Sequence, residues 1–310
     1  MQKGTIIGAM SNSAPNKKSA LQLLDAYLAA ETDIPPPHLA GGTAIPEGII
    51  ISVPHAGRAY PKTYFSQNNL AAGRSLEDIG ADIIALPLAT ESQPVLIAKC
   101  CRALCDLNRP ETALDPELID YIPRSNDKIF TPHIKAGYGV IPRLSASKTP
   151  LHERALSLHE AENILSQWYR PYHKILTNLI SVAGQKNNHV LLIDIHSMPA
   201  QQTHFSGTLP DFIFGNLYGA TVPDNLVKTV DEVMAGTSYN WNWNSPYAGG
   251  YITRHYGLPA TPQRATVFVL QIEINRGLYA ADLFGIKTEK VAEITDLIDR
   301  LCQQLKSWLH

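Results

Sequence analysis

The side chains most able to do chemistry stand at the ends of apolar runs. The clearest case is Val190-Leu191-Leu192-Ile193-Asp194-Ile195-His196-Ser197-Met198-Pro199. Val190 to Asp194 reads as a strand buried on both faces of a parallel sheet. His196 and Ser197 fall where that strand ends, and Pro199 lacks the N–H that further pairing needs. In open α/β sheets, chemistry gathers at the carboxyl ends of strands. Asp194 and His196 are therefore candidates for a metal or acid–base site. For this pair alone, a structural histidine at a strand end is the better reading, and other strand ends shift the balance.

Gly48 to Val53 is a second buried run, ending in Pro54-His55-Ala56-Gly57-Arg58. His55 stands just past it, where a surface-loop histidine is an equally good reading. Asp106-Leu107-Asn108-Arg109-Pro110 follows a third run. Asn108 and Arg109 form a fork of donors suited to a carboxylate, against the plainer pairing of Arg109 with Asp106. The apolar run Thr266 to Arg276 carries Gln271 and Glu273. They are two apart and share one side of a strand. Burying that carboxylate unpaired would cost several kcal/mol, so a partner charge or a metal is expected opposite. Gly249-Gly250 before Arg254-His255 implies backbone close to a ligand. The turn Gly137 to Arg143 presents Tyr138 and Arg143. Asp78 and Asp82 are four apart on a helical pattern, Leu76 to Ala89, and share a face. That face is either solvated or aims one acid at the site.

These residues need elements to position them. Val95 to Lys99 and Ala103 to Cys105 read as adjacent antiparallel strands, and Asp211 to Asn216 as a short one. Helical spacing covers Leu156 to Val182, split near Pro171, then Asn225 to Ala235 and Thr288 to Trp308. Tyr169, Tyr172 and His173 read as packing residues. Strands alternating with helices predict an α/β protein with a mixed, mostly parallel central sheet flanked by helices. Ser19 to Ala30 is a short helix, and Asp33 to Pro37 a stiff linker. The expected organisation is an arm over 1–45 and a single α/β domain over 46–310. Glu111 to Ser147 lacks period, and so long an irregular stretch predicts a lid or pocket wall.

The 26 Lys and Arg balance 28 Asp and Glu, so nucleic-acid binding has little electrostatic support. No apolar run approaches the ~18 residues of a membrane span. The first residues are too polar for a secretory signal. Cys100, Cys101 and Cys105 crowd together with Cys302 far away, a poor disulfide framework. Buried thiols in a reducing cytoplasm are the expectation. A zinc hydrolase needs three protein ligands, usually His and carboxylate, with a base nearby and a cation for an anionic substrate. The strand ends supply each part.

Taken together, Ser52-Val53-Pro54-His55-Ala56-Gly57, Asp106-Leu107-Asn108-Arg109-Pro110, Asp194-Ile195-His196-Ser197, Gly249 to Gly257 and Gln271-Ile272-Glu273 resemble the motif series of the N-formylglutamate amidohydrolase family. They stand in that family's order, across roughly residues 48–280. The family is related to the zinc carboxypeptidase and aspartoacylase group, which implies a zinc-carboxypeptidase-like (phosphorylase/hydrolase-like) fold. The resemblance implies a Zn2+ site, another divalent metal being the alternative, with His55 and His196 as ligands. Glu273 would be the general base toward the attacking water. Arg109, helped by Asn108, would clamp a substrate carboxylate, with Arg143, Gly250 and Gln271 also lining the substrate. Arg254 would serve a carboxylate or the developing oxyanion. The carboxypeptidase group has a Glu three residues after the first His, where this chain has Arg58. The carboxylate ligand must come from elsewhere: Asp82 by its place in the family-like pattern, with Asp78 and Asp194 as alternatives. The implied reaction is hydrolysis of a small anionic N-acyl amino acid, N-formyl-L-glutamate, to formate and L-glutamate, the last step of one histidine-degradation route. The rivals are a deacylase for another N-acyl amino acid, a silent binding homologue, and a serine hydrolase using Ser197. The last lacks a Gly-x-Ser-x-Gly elbow.

Overall fold

A computed structural model of the protein describes residues 36–120, 131–200, 209–260, 264–280 and 286–309. The helix expected over 19–30 and the start of the proline-rich linker lie outside the described residues. Among these residues the strands are β1 (His38–Ala40), β2 (Ile49–Val53), β3 (Val95–Ile97), β4 (Ile119–Asp120), β5 (Leu156–Ser157), β6 (His189–Met198), β7 (Phe212–Gly215), β8 (Trp241–Trp243) and β9 (Thr266–Asn275). Seven form one sheet in the order β1-β3-β2-β6-β9-β7-β8, and β4 pairs with β5. β3, β2, β6 and β9 run parallel, while β1 and the β7–β8 pair run against them. The sheet is mixed and mostly parallel, as the apolar runs predict.

Strands apolar on both sides need cover on both faces. Ile49, Ile51 and Val53 of β2 join Leu191, Ile193 and Ile195 of β6 in one buried cluster. The helices Ala81–Ala85, Asp224–Ala235 and Thr288–Lys306 cover that face. Ile50, Leu192 and Val269 turn to the other face, beneath the helix Arg170–Ala183. Each fully buried Leu or Ile is worth roughly 1.5–3 kcal/mol, so these two layers dominate the stability.

The same period of two places the polar residues. Ser52, Asp194, His196, Gln271 and Glu273 all fall on the Ile50–Leu192–Val269 face, and all are buried. The register sets Ser52 beside Asp194, Asp194 beside Gln271, and His196 beside Glu273.

Several elements differ from the sequence expectation. β6 runs through to Met198, so His196 and Ser197 lie inside the strand. Ala103 to Cys105 forms a turn, not a strand. The pattern from Leu156 opens as β5 and continues as the helix Leu158–Ile164, a π-helical turn Leu165–Tyr169, and the helix Arg170–Ala183. Pro171 has no N–H to donate, and the turn before it is widened. The helix expected over 76–89 is only Ala81–Ala85 with a 3-10 turn, Leu86–Leu88. Gly80 precedes it at φ 82°, a left-handed conformation that glycine adopts without strain. Asp78 therefore lies ahead of the helix and Asp82 in its first turn, so the two acids do not share a helical face. The four cysteines are free and buried, as expected. Among the described residues, no helix is long and apolar enough to cross a membrane.

Candidate metal centre and active site

The end of β2, the turn before Ala81 and β6 bring His55, Asp78 and His196 together. One ligand atom from each lies within 4.8 Å of the others, and all three residues are buried. The Asp78 N–H donates to the His55 carbonyl at 3.0 Å, which ties the acid's turn to the strand end. Asp78 Oδ2 is 2.8 Å from His196 Nδ1 and 3.4 Å from His55 Nδ1. His55 Nδ1 has no hydrogen-bond partner among the described residues. A buried, unpartnered imidazole nitrogen is costly, and a cation would satisfy it.

A second acid stands behind each histidine. His55 Nε2 donates to Asp106 Oδ1 at 2.8 Å, and His196 Nε2 to Asp194 Oδ2 at 2.9 Å. An ionised carboxylate can only accept, so each Nε2 carries a proton and each Nδ1 is turned toward Asp78. Asp106 also accepts from Arg102 Nε and from the Asn108 N–H. Asp194 accepts from Ser52 Oγ at 2.7 Å, and Ser52 meets the Tyr172 hydroxyl at 2.9 Å. Tyr172 is thus more than a packing residue.

Charge follows the same logic. Burial alone would raise the Asp78 carboxyl, but His196 and His55 beside it hold it well below the ordinary value. Burial would likewise raise Asp106, and Arg102 and His55 hold it down. Burial would lower His196, but the charge and hydrogen bond of Asp194, with the Asp78 bond, raise it well above its ordinary value. Two imidazole nitrogens backed by acids, with one carboxylate, form a donor set that suits zinc or a similar divalent ion.

Glu273 stands beside His196 in register. Burial raises its carboxyl to about 7, with His196 only partly offsetting the effect. Gln271 Nε2 donates to Glu273 Oε1 at 2.9 Å. Arg102 was not singled out in the sequence, and its only signal there is standing four residues before Asp106. Its guanidinium lies 4.0 Å from Asp78 Oδ1 with about a quarter of the side chain exposed.

The remaining sequence candidates divide. Asp82, the carboxylate preferred in the sequence, pairs with Arg58 at 2.7 Å, and it is the alternative, Asp78, that lies beside His55 and His196. Arg58, three residues after His55, is the partner that holds Asp82. Arg143 is engaged by Asp115 at 2.9 Å and Glu117 at 2.8 Å, so its charge is spent within the protein. Arg254 is exposed on the helix Tyr251–Gly257 and has no ion pair with the cradle among the described residues. Arg109 donates to the Tyr138 and Asn108 carbonyls, and its nearest acid contact, to Asp106, is 4.0 Å. Its loop is held from the Leu165–Ala183 segment. The Tyr169 hydroxyl donates to the Arg109 carbonyl at 2.9 Å, and His173 Nε2 to the Leu107 carbonyl at 3.0 Å. Burial lowers His173 to about 4, so it stays neutral and its Nδ1 accepts from Tyr256. These two residues, expected only to pack, position the Asn108–Arg109 loop. Asn108 Oδ1 accepts from the Ile252 N–H at 2.7 Å, and Gly250 N–H donates to Gln271. Asn108 Nδ2 approaches His196 Nε2 at 3.2 Å. That nitrogen already gives its proton to Asp194, so both approaching groups are donors.

The fold and the cradle define an α/β protein with a buried His–Asp–His cluster, of a kind that could hold a metal ion, at the carboxyl edge of its sheet. The N-formylglutamate amidohydrolase family model matches residues 48–280, and the chain belongs to that family. The N-formylglutamate deformylase of Pseudomonas putida is 29% identical over 268 residues, spanning 84% of this chain and 92% of that protein. The N-formylglutamate deformylase of Pseudomonas aeruginosa is 27% identical over 269 residues, spanning 84% of this chain and 93% of that one. The crystal structure of N-formylglutamate amidohydrolase from Ralstonia eutropha JMP134 matches with a TM-score of 0.78 at 26% identity, over 88% of this chain and 98% of that one.

Proposed function

We propose that the protein is a metal-dependent amidohydrolase that cleaves N-formyl-L-glutamate to formate and L-glutamate. The observation that carries the reading is the buried His55–Asp78–His196 cradle, with His55 Nδ1 unpartnered and Glu273 alongside. The names of the relatives support the substrate. A divalent ion in the cradle would acidify a water and polarise a carbonyl.

The chain's own residues do the rest. Glu273, with its carboxyl raised to about 7, takes a proton from the attacking water as oxygen adds to the formyl carbon. It then delivers that proton to the glutamate nitrogen as the C–N bond breaks. A base so positioned typically contributes ~10²–10⁴-fold. Arg102, beside Asp78 and partly open, supports the negative charge that develops on the formyl oxygen. Arg109, whose contact with Asp106 is as long as 4.0 Å, takes a substrate carboxylate, with Asn108 beside it. Asp106 and Asp194 keep the histidines oriented. Four buried free thiols support a reducing, cytoplasmic setting.

The test is turnover of N-formyl-L-glutamate, N-acetyl-L-glutamate and other N-formyl amino acids by metal-stripped and zinc-restored protein. Activity should vanish on stripping, return with zinc, and favour N-formyl-L-glutamate. Full activity after verified metal removal would defeat the metal reading. Preference for another acyl amino acid would defeat the substrate.

A further inference from the structure

The helix Tyr251–Gly257 starts where two amide side chains from distant elements meet it. Gly250 N–H donates to Gln271 Oε1 at 2.9 Å, and Ile252 N–H to Asn108 Oδ1 at 2.7 Å. A backbone N–H can only donate, so each amide must present its oxygen to the helix and its nitrogen away from it. The Thr253 hydroxyl lies 3.4 Å from Gln271 Oε1 and can donate to it as well. The Gln271 nitrogen is then aimed at Glu273 and donates to Oε1 at 2.9 Å. Backbone comes this close because Gly250 has no side chain. A Cβ there would lie 2.3 Å from Asn108 Nδ2.

We propose that Gln271 is a positioning residue for the general base: pinned by the start of this helix, it holds one oxygen of Glu273 and leaves the other to receive the proton. The proposal rests on the reading of Glu273 given above. It gives Gln271 a different role from the substrate contact that its motif implies. Both amide ends of Gln271 are engaged within the protein, and the residue is buried. A carboxylate held at one oxygen loses rotation about its last bond, which fixes the direction of the other. Misplacing a reacting group by about 1 Å can cost ~10²-fold in rate.

Steady-state kinetics of Gln271→Glu and Gln271→Met, each alone and combined with Glu273→Gln, test this. Gln271→Glu keeps an oxygen for the Gly250 N–H and replaces the amide donor to Glu273 with a second carboxyl. Gln271→Met removes both at similar volume. Each single variant should lose about 10- to 100-fold in kcat with KM within about threefold. Zinc affinity, read by competition with a chromogenic chelator, should hold within about threefold. On the Glu273→Gln background neither substitution should lower the residual rate further, since residues acting through one another are not additive. A tenfold rise in KM at unchanged kcat would assign Gln271 to the substrate and overturn the proposal. An equal loss on the Glu273→Gln background would overturn it too. Wild-type turnover by Glu273→Gln alone would remove the base assignment, and the proposal with it, and is read from that single variant.

Discussion

Replacing Asp78 and Asp82 in turn, each by asparagine, separates the two acids that stand four apart in the chain. Asp78 Oδ2 lies 2.8 Å and 3.4 Å from the two imidazole nitrogens, whereas Asp82 is paired with Arg58. An ion that binds only the folded protein stabilises it by about 4 kcal/mol when present at a thousandfold its Kd. Unfolding entropy of about 2.1 cal/mol/K per residue gives a chain of 310 residues ~0.65 kcal/mol/K. Zinc should therefore raise the melting temperature of metal-stripped wild-type protein by about 6 °C. Loss of a group that merely supports a ligand weakens metal binding ~10–100-fold, and loss of a ligand should do at least as much. A hundredfold loss leaves about 1.4 kcal/mol, so zinc should raise Asp78→Asn by about 2 °C or less. Asp82→Asn should keep the full shift. Its lost pair, about a quarter exposed on each side, is worth at most ~1 kcal/mol, or roughly 1.5 °C of the zinc-free baseline. Calorimetry with and without zinc reads both numbers. An undiminished zinc shift in Asp78→Asn, or a loss confined to Asp82→Asn, would refute the assignment.

Three further outcomes are expected. Asp106→Asn should weaken zinc binding ~10–100-fold, because His55 loses the charge behind its Nε2; unchanged affinity in a chelator competition would deny that backing any role. Gly250→Ala places a Cβ 2.5 Å from Asn108 Oδ1, which the Ile252 N–H holds in place. Overpacking of this kind costs ~1–3 kcal/mol, about 2–5 °C in melting temperature, and a wild-type melt would show that the amide yields freely. Glu273 has its carboxyl raised by burial from an ordinary 4.5 to about 7. The stability contributed by its protonated form is present below about 4.5 and is lost as pH rises through about 7. In metal-free protein Glu273→Gln escapes that loss. Its stability relative to wild type should grow between pH 5 and 8 by on the order of 3 kcal/mol, measured by urea unfolding. A difference that does not change with pH would contradict the burial effect.

Strand character is local, and it was legible residue by residue. Runs of Ile, Val and Leu around 49–53, 190–195 and 266–274 announce buried parallel strands, and a period of two puts Gln271 with Glu273 and Asp194 with His196. The Asp-x-His, Asn-Arg and Gln-x-Glu pairs could therefore be named as candidate site residues from the chain alone. The choice of carboxylate could not. Helical spacing made Asp78 and Asp82 equivalent, and only the left-handed turn at Gly80 parts them, sending one to the histidines and the other to Arg58. Arg143 looked as available as Arg109 until Asp115 and Glu117 were found beside it. Arg102, and the acids behind each imidazole, gain their meaning from neighbours across the fold, as when Asp78 meets His196 at a separation of 118 residues. Local sequence determined which side of each strand is polar, because pleating alternates side chains whatever lies opposite. The tertiary structure decided which charges are spent on one another and which are left for a ligand, because that balance depends on distances between segments that local pattern does not encode.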